Sequence, residues 1–171
     1  MKFTKQLLTP IFFLLLINTA SAQKNNFKAD DLKSLSGCWE GNLTYLDYSS
    51  GKPYSMPAVI MVKPIAGTDD LSVSNIYPNE PKANSTDTLW LNSEQRTINK
   101  EAVQSRKIFD DGTLQVITEA RGVDGNDNKK ATFRYTYTIG KEIYTNKKEV
   151  RFNGTSTWIT RHEYTFKRCK K

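Results

Sequence analysis

From Cys38 to Arg168 apolar and polar residues alternate in twos far more often than at helical spacing. Phe133, Tyr135, Tyr137 and Ile139 alternate with Thr132, Arg134, Thr136 and Thr138 without a break, the pattern of a strand with one face in a core. Trp39, Gly41, Leu43 and Tyr45 share one parity against Glu40, Asn42 and Thr44, and Leu114, Val116 and Thr118 alternate with Gln115, Ile117 and Glu119. Tyr54 to Val62 carries Val59 and Met61 on one face. Leu71 to Tyr77, Asp87 to Asn92, Arg96 to Asn99, Val103 to Phe109 and Glu142 to Phe152 read as further strands. A last strand, Thr157 to Arg168, puts Trp158, His162, Tyr164 and Phe166 on one face. Turn chemistry separates them: Ser49-Ser50-Gly51-Lys52-Pro53, Pro78-Asn79-Glu80-Pro81, Asp110-Asp111-Gly112, Asp124-Gly125-Asn126, Gly140-Lys141 and the hairpin dipeptide Asn153-Gly154.

These elements predict an all-β domain, an antiparallel up-and-down barrel of about 8–10 strands. No segment is long and periodic enough for a crossover helix. Only the lead-in, residues 23–36, offers a helical turn, over Asp30, Asp31, Leu32, Lys33, Ser34 and Leu35, with its acidic residues first, where the helix dipole favours them. A meander of this length must close or split, because open edges invite aggregation. Closure brings the start of the first strand beside the end of the last, and Cys38 and Cys169 stand at those two points.

The first 22 residues change the compartment. Met1, Lys2 and Lys5 form a positive start, Ile11 to Ile17 an apolar run, and Ala20-Ser21-Ala22 the small-x-small pattern of signal-peptide cleavage. The run is too short for a spanning helix and is interrupted by Pro10. The expectation is therefore a secreted or periplasmic protein with residues 1–22 as signal peptide, 23–36 as lead-in and 37–171 as the barrel, and no transmembrane segment after cleavage. The 171 residues less those 22 leave 149, the size of one domain. In an oxidising compartment Cys38 and Cys169 are expected to form a disulfide. The formal charge is +7, and removing Lys2 and Lys5 leaves +5, dispersed except for Lys167, Arg168, Lys170 and Lys171 at the tail. An exported chain rarely meets nucleic acid, so none is expected as partner.

Gly37-Cys38-Trp39 at the entry to the first strand resembles the Gly-x-Trp signature of the lipocalins and the wider calycin group. The resemblance implies a barrel that binds small apolar molecules, with Trp39 closing one end and a late-strand arginine packed over it; Arg161 and Arg168 are both placed for that role. The mid-chain T-D-Y motif of transport lipocalins is absent. The whole chain is more similar to secreted bacterial lipocalin-like barrels without an assigned function, and its strand count looks like that of the fatty-acid-binding and nitrobindin-type barrels. A histidine on a late strand, His162, looks like the nitrobindin arrangement for ligating haem, against the plainer reading of a hydrogen-bonded core histidine.

Tyr45, Tyr135, Tyr137, His162 and Tyr164 fall on inward parities and are the candidate ligand-binding residues, since tyrosine joins an apolar ring to a polar tip. Arg134, Glu119 and Arg161 fall on outward parities unless a bulge reverses them. Asp124, Asn126 and Asn128 imitate a calcium loop, but Lys129 and Tyr135 stand where it needs glycine and glutamate, and no metal site is expected. Asn42, Asn84 and Asn153 begin glycosylation sequons. No catalytic motif is present, so an enzyme, an isomerase or a haem-based activity on this scaffold, is the least supported reading. The first reading is a binding protein for a small, largely apolar ligand. A filled barrel acting through its surface as an interaction or envelope-associated module is the alternative. Oligomeric state is left open.

Overall fold

A computed structural model describes residues 27–47 and 50–170; the segment read as a signal peptide lies outside them. Eleven strands form one sheet: β1 (Gly37–Asp47), β2 (Lys52–Pro64), β3 (Leu71–Ile76), β4 (Ser85–Leu89), β5 (Leu91–Asn92), β6 (Thr97–Ile98), β7 (Glu101–Ile108), β8 (Leu114–Asp124), β9 (Lys129–Ile139), β10 (Ile143–Phe152) and β11 (Ile159–Arg168). A 3-10 helix, Ala29–Leu35, precedes them, and a shorter one, Pro81–Ala83, lies between β3 and β4. Among the described residues no helix is long and apolar enough to cross a membrane.

The sheet order is β4-β3-β2-β1-β11-β10-β9-β8-β7-β6-β5, antiparallel throughout. Directions alternate along that order, so β4 and β5 at its two ends run the same way, and only Trp90 separates them in sequence. They are two halves of one interrupted strand, the first paired with β3 and the second with β6. Counting them once leaves ten, the even number that antiparallel closure needs. The nearly closed barrel thus has its seam in mid-chain. Asn99 stitches it: its N–H donates to the Trp90 carbonyl (2.8 Å) and its Oδ1 accepts from the Trp90 N–H (3.0 Å).

The first and last strands meet inside the sheet, away from the seam. Trp39 pairs with Arg168, and Cys38 and Cys169 form a disulfide with Cα atoms 5.4 Å apart. The 3-10 helix plugs the adjoining end. Its Leu32 and Leu35 are buried in one cluster with Trp39, Ile60, Val62, Ile98, Val116, Ile139, Tyr144 and Phe166. Trp39 is 0 % exposed and donates its indole N–H to the Leu35 carbonyl at 2.7 Å. Arg168 lies over the Trp39 ring at 4.1 Å and donates to the carbonyls of Ser34, Ser36 and Lys141, satisfying groups left open where the helix ends. The other arginine considered for that position, Arg161, sits at the opposite end. Gly37 takes φ +121°, and a Cβ there would stand 3.0 Å from the Arg168 guanidinium. Gly41 has a closer limit, since a Cβ would meet the Thr165 carbonyl oxygen at 2.0 Å. The plug is clasped by Arg106, which donates twice to the Asp31 carboxylate at 2.7 and 2.8 Å. Burial opposes ionisation of Asp31, but hydrogen bonds from Arg106 and the Lys28 backbone outweigh it and lower its pKa.

The structure selects the inner face of β2, and in β11 one inward assignment differs from the alternation in sequence. In β2 the interior face is Met56, Ala58, Ile60 and Val62, leaving Val59 and Met61 outside. In β11 the register shifts: His162 pairs with Lys148 but Thr160 pairs with Glu149, so Arg161 is an extra residue. That bulge reverses the parity behind it. Trp158 therefore lies on the outer surface, its ring flanked by Arg134 (3.8 Å) and Arg151 (4.7 Å), away from the face of His162, Tyr164 and Phe166. The same bulge turns Arg161 to the rim, where it is 11 % exposed and ion-paired with Asp124.

Candidate functional site

Cross-strand register arranges the interior in oblique rows. Nearest the plug, Gly41, Phe166, Tyr144, Ile139 and Leu114 are neighbours across β1, β11, β10, β9 and β8. Two residues on, the row is Leu43, Tyr164, Asn146, Tyr137 and Val116; two further, it is Tyr45, His162, Lys148, Tyr135 and Thr118. The interior thus passes from mainly apolar to mixed to polar towards the open end.

The outer row is an ordered set of polar groups. The Lys148 ammonium lies 4.8 Å from the Phe133 ring centre and 5.6 Å from that of Tyr135, and among the described residues no carboxylate oxygen stands within 4.0 Å of it. Thr118, fully buried, donates its hydroxyl to Glu101 Oε2 at 2.7 Å. Burial raises the Glu101 pKa, countered in part by that hydrogen bond and by the charge of Lys148. Burial first, and then Lys148, lowers His162 to about 4, so its imidazole is neutral at pH 7. Its ring meets Tyr164 edge-on at 5.6 Å. The Tyr164 hydroxyl shares a 2.7 Å hydrogen bond with Tyr77, and burial followed by that bond raises its pKa. Tyr135 is pushed up to about 12, by burial and then by Glu101 and Asp124. At the rim Arg161 donates through Nε to Asp124 Oδ2 at 2.8 Å and through Nη2 to the same oxygen.

A cleft of about 590 Å3 opens over this row, lined by Tyr45, Leu46, Asp47, Asp124, Lys148, Arg161 and His162. Of the tyrosines read as inward, Tyr45 borders the cleft, Tyr135 lies in the same row beside Lys148, and Tyr164 sits one row deeper. Tyr137, 2 % exposed, belongs to the core. Lys148, Glu101, Thr118 and Asn146 escape the sequence reading. The stretch Thr145-Asn146-Lys147-Lys148-Glu149 is polar on both parities. Counting by twos from the apolar Tyr144 to Val150 is the signal that places Asn146 and Lys148 inside.

His162 has the chemistry of a haem donor: a neutral imidazole bordering the cleft, with no hydrogen bond to either ring nitrogen among the described residues. Lys148 beside it suits a carboxylate of such a macrocycle, whereas Arg161 is held by Asp124.

Compared with solved structures, the chain is similar to the crystal structure of Rv2717c from M. tuberculosis, with a TM-score of 0.56, 13% identity and coverage of 84% of this chain and 99% of that one. At that identity the likeness concerns the fold alone. No family model matches the sequence, and no curated protein matches it.

Proposed function

We propose that this chain is an exported, lipocalin-like binding protein that takes a small amphiphilic organic anion in the open half of its barrel. Lys148 carries the reading: an inward ammonium over two aromatic rings, facing a cleft and lacking a carboxylate partner among the described residues. A half-buried cation with no carboxylate in contact, neutralised only at longer range by Glu101, is a receptor for an anion. His162 and Tyr45 add a neutral hydrogen-bonding edge and an aromatic wall. Export rests on the Ala20-Ser21-Ala22 signature and on a disulfide of the kind oxidising compartments maintain.

Two fluorophores with nearly the same aromatic body test the charge. 1-Anilinonaphthalene-8-sulfonate should bind the mature protein about ten- to a hundredfold tighter than neutral N-phenyl-1-naphthylamine, the worth of one charge-assisted contact, and Lys148→Met should abolish the difference. Equal affinities in the wild type, or saturable binding of neither probe, would contradict the proposal and favour a barrel that acts through its surface.

A second reading rests on His162. Bound there, haem would bring one-electron and diatomic-gas chemistry; His162 would hold its iron and Lys148 would meet a carboxylate. Haemin added to the mature protein should then give a shifted Soret band that His162→Ala removes; a spectrum that His162→Ala leaves unchanged ends this reading.

A further inference from the structure

We propose that the barrel contains a second, inner binding site at the seam, and that it takes a small primary ammonium whose body is about the size of a benzene ring. A cavity of about 170 Å3 lies between β3 and β4 on one side and β9 and β10 on the other, with Thr88 and Asn99 of the seam among its walls. An apolar cavity of roughly 150 Å3 suffices for benzene, so this one accommodates an aromatic ring with a short polar arm. Most of its wall is aliphatic or aromatic, including Val73, Leu89, Tyr137 and Tyr144. A few convergent polar groups on an apolar lining are the usual form of a small-molecule pocket.

The polar groups define the chemistry. Asn146 Oδ1 is buried and lacks a hydrogen-bond partner, the one such side-chain atom among the described residues. A buried acceptor without a donor is costly, and it borders this cavity. Asp87 Oδ2 accepts from Asn75 Nδ2 (3.2 Å) and Ser85 Oγ (2.9 Å), while Oδ1 has no such bond among the described residues. The buried Asn146 acceptor calls for a donor, and the carboxylate of the exposed Asp87 stands in the same lining. Asp87 is the one charged residue in the lining, so a positive donor is preferred to a neutral one and an anion is repelled. The Tyr137 and Tyr144 rings suit a cation further. The site differs from the outer cleft, where Lys148 and Arg161 stand among Asp47 and Asp124, and does not depend on the function proposed for that cleft.

The test is an amide-resolved NMR titration of the mature protein with benzylamine, benzyl alcohol and benzoate at pH 7. Benzylamine should give saturable shifts centred on Asn75, Asn99 and Asn146 and bind at least tenfold tighter than benzoate. Asn146→Leu should weaken it at least fivefold, and Val73→Phe should fill the cavity and abolish binding. Asp87→Asn, at an exposed position, tests the charge without touching the core and should erase the preference for benzylamine over benzyl alcohol. Benzoate binding as tightly as benzylamine, shifts that rise linearly without saturation, as for a cavity holding only water, or shifts confined to the Lys148 row would each overturn the proposal. Sulfonate-probe binding should be unchanged in Asp87→Asn, separating failure here from failure of the outer site.

Discussion

The two ends of the barrel share the same strands and solve different problems. At the plugged end Trp39, Phe166, Tyr144 and Ile139 pack against the helix, and the polar groups nearby are paired: the indole to Leu35, Arg168 to three carbonyls, Arg106 to Asp31. At the open end, four residues further along β9 and β10, the same strands present Tyr135 and Lys148, and β11 presents His162. These groups are half-buried, and Lys148 has no ion-pair partner among the described residues. Burial of apolar area and satisfied polar groups stabilise a fold; polar groups held inside without partners lower stability and are characteristic of binding sites. The contrast is the one the proposed function requires, with stability at one end and recognition at the other.

The largest effect expected is at the plug. Trp39→Ala should cost about 3–5 kcal/mol in urea unfolding, whereas Tyr45→Ala in the outer row should cost clearly less. Replacing Cys38 and Cys169 together by alanine should cost about 2–5 kcal/mol in the chain-entropy model, the two cysteines lying 131 positions apart. Comparable losses for Trp39→Ala and Tyr45→Ala would erase the distinction between the ends.

Acid acts on the open end. Burial holds His162 at about 4, against 6.5 for the free group. The unfolded chain takes up the proton as pH falls through about 6.5, while the folded protein resists until about 4. This contribution is therefore complete above pH 6.5 and lost between 6.5 and 4, by up to roughly 3 kcal/mol. Glu101, whose pKa burial raises, works in the opposite direction and returns part of that loss. Unfolding free energies across this range should show a shallower decline in His162→Phe than in the wild type; parallel curves would remove His162 as the cause. The smallest effect expected is from Lys148→Met: stability within about 1 kcal/mol of wild type, since a half-buried charge in no ion-pair contact, acting on Glu101 only at longer range, is replaced by an apolar chain of similar length.

The barrel was largely legible because β1, β8 and β9 alternate cleanly and the turns announce themselves. Legibility failed where physics set the outcome across strands. In β2, Met56 to Val62 is apolar on both parities except at Pro57, so only pairing with β1 selects the inner face. The extra residue at Arg161 reversed Trp158, and a bulge leaves no mark in an alternating sequence. The seam was hidden because Trp90 interrupts a strand without glycine or proline. Among site residues, aromatic parity points to Tyr45, Tyr135, His162 and Tyr164, but Lys148 and Asn146 lie in a polar run whose inward face emerges only from register.

Native-state amide hydrogen exchange, with and without the sulfonate probe, measures both ends at once. The division of labour predicts the slowest exchange, near the global unfolding limit, around Trp39, Ile139, Tyr144 and Phe166, faster exchange around Tyr135, Lys148 and His162, and added protection from the probe at the latter group first. Equal protection at both ends in the free protein, or a probe that protects the plugged end first, would contradict it.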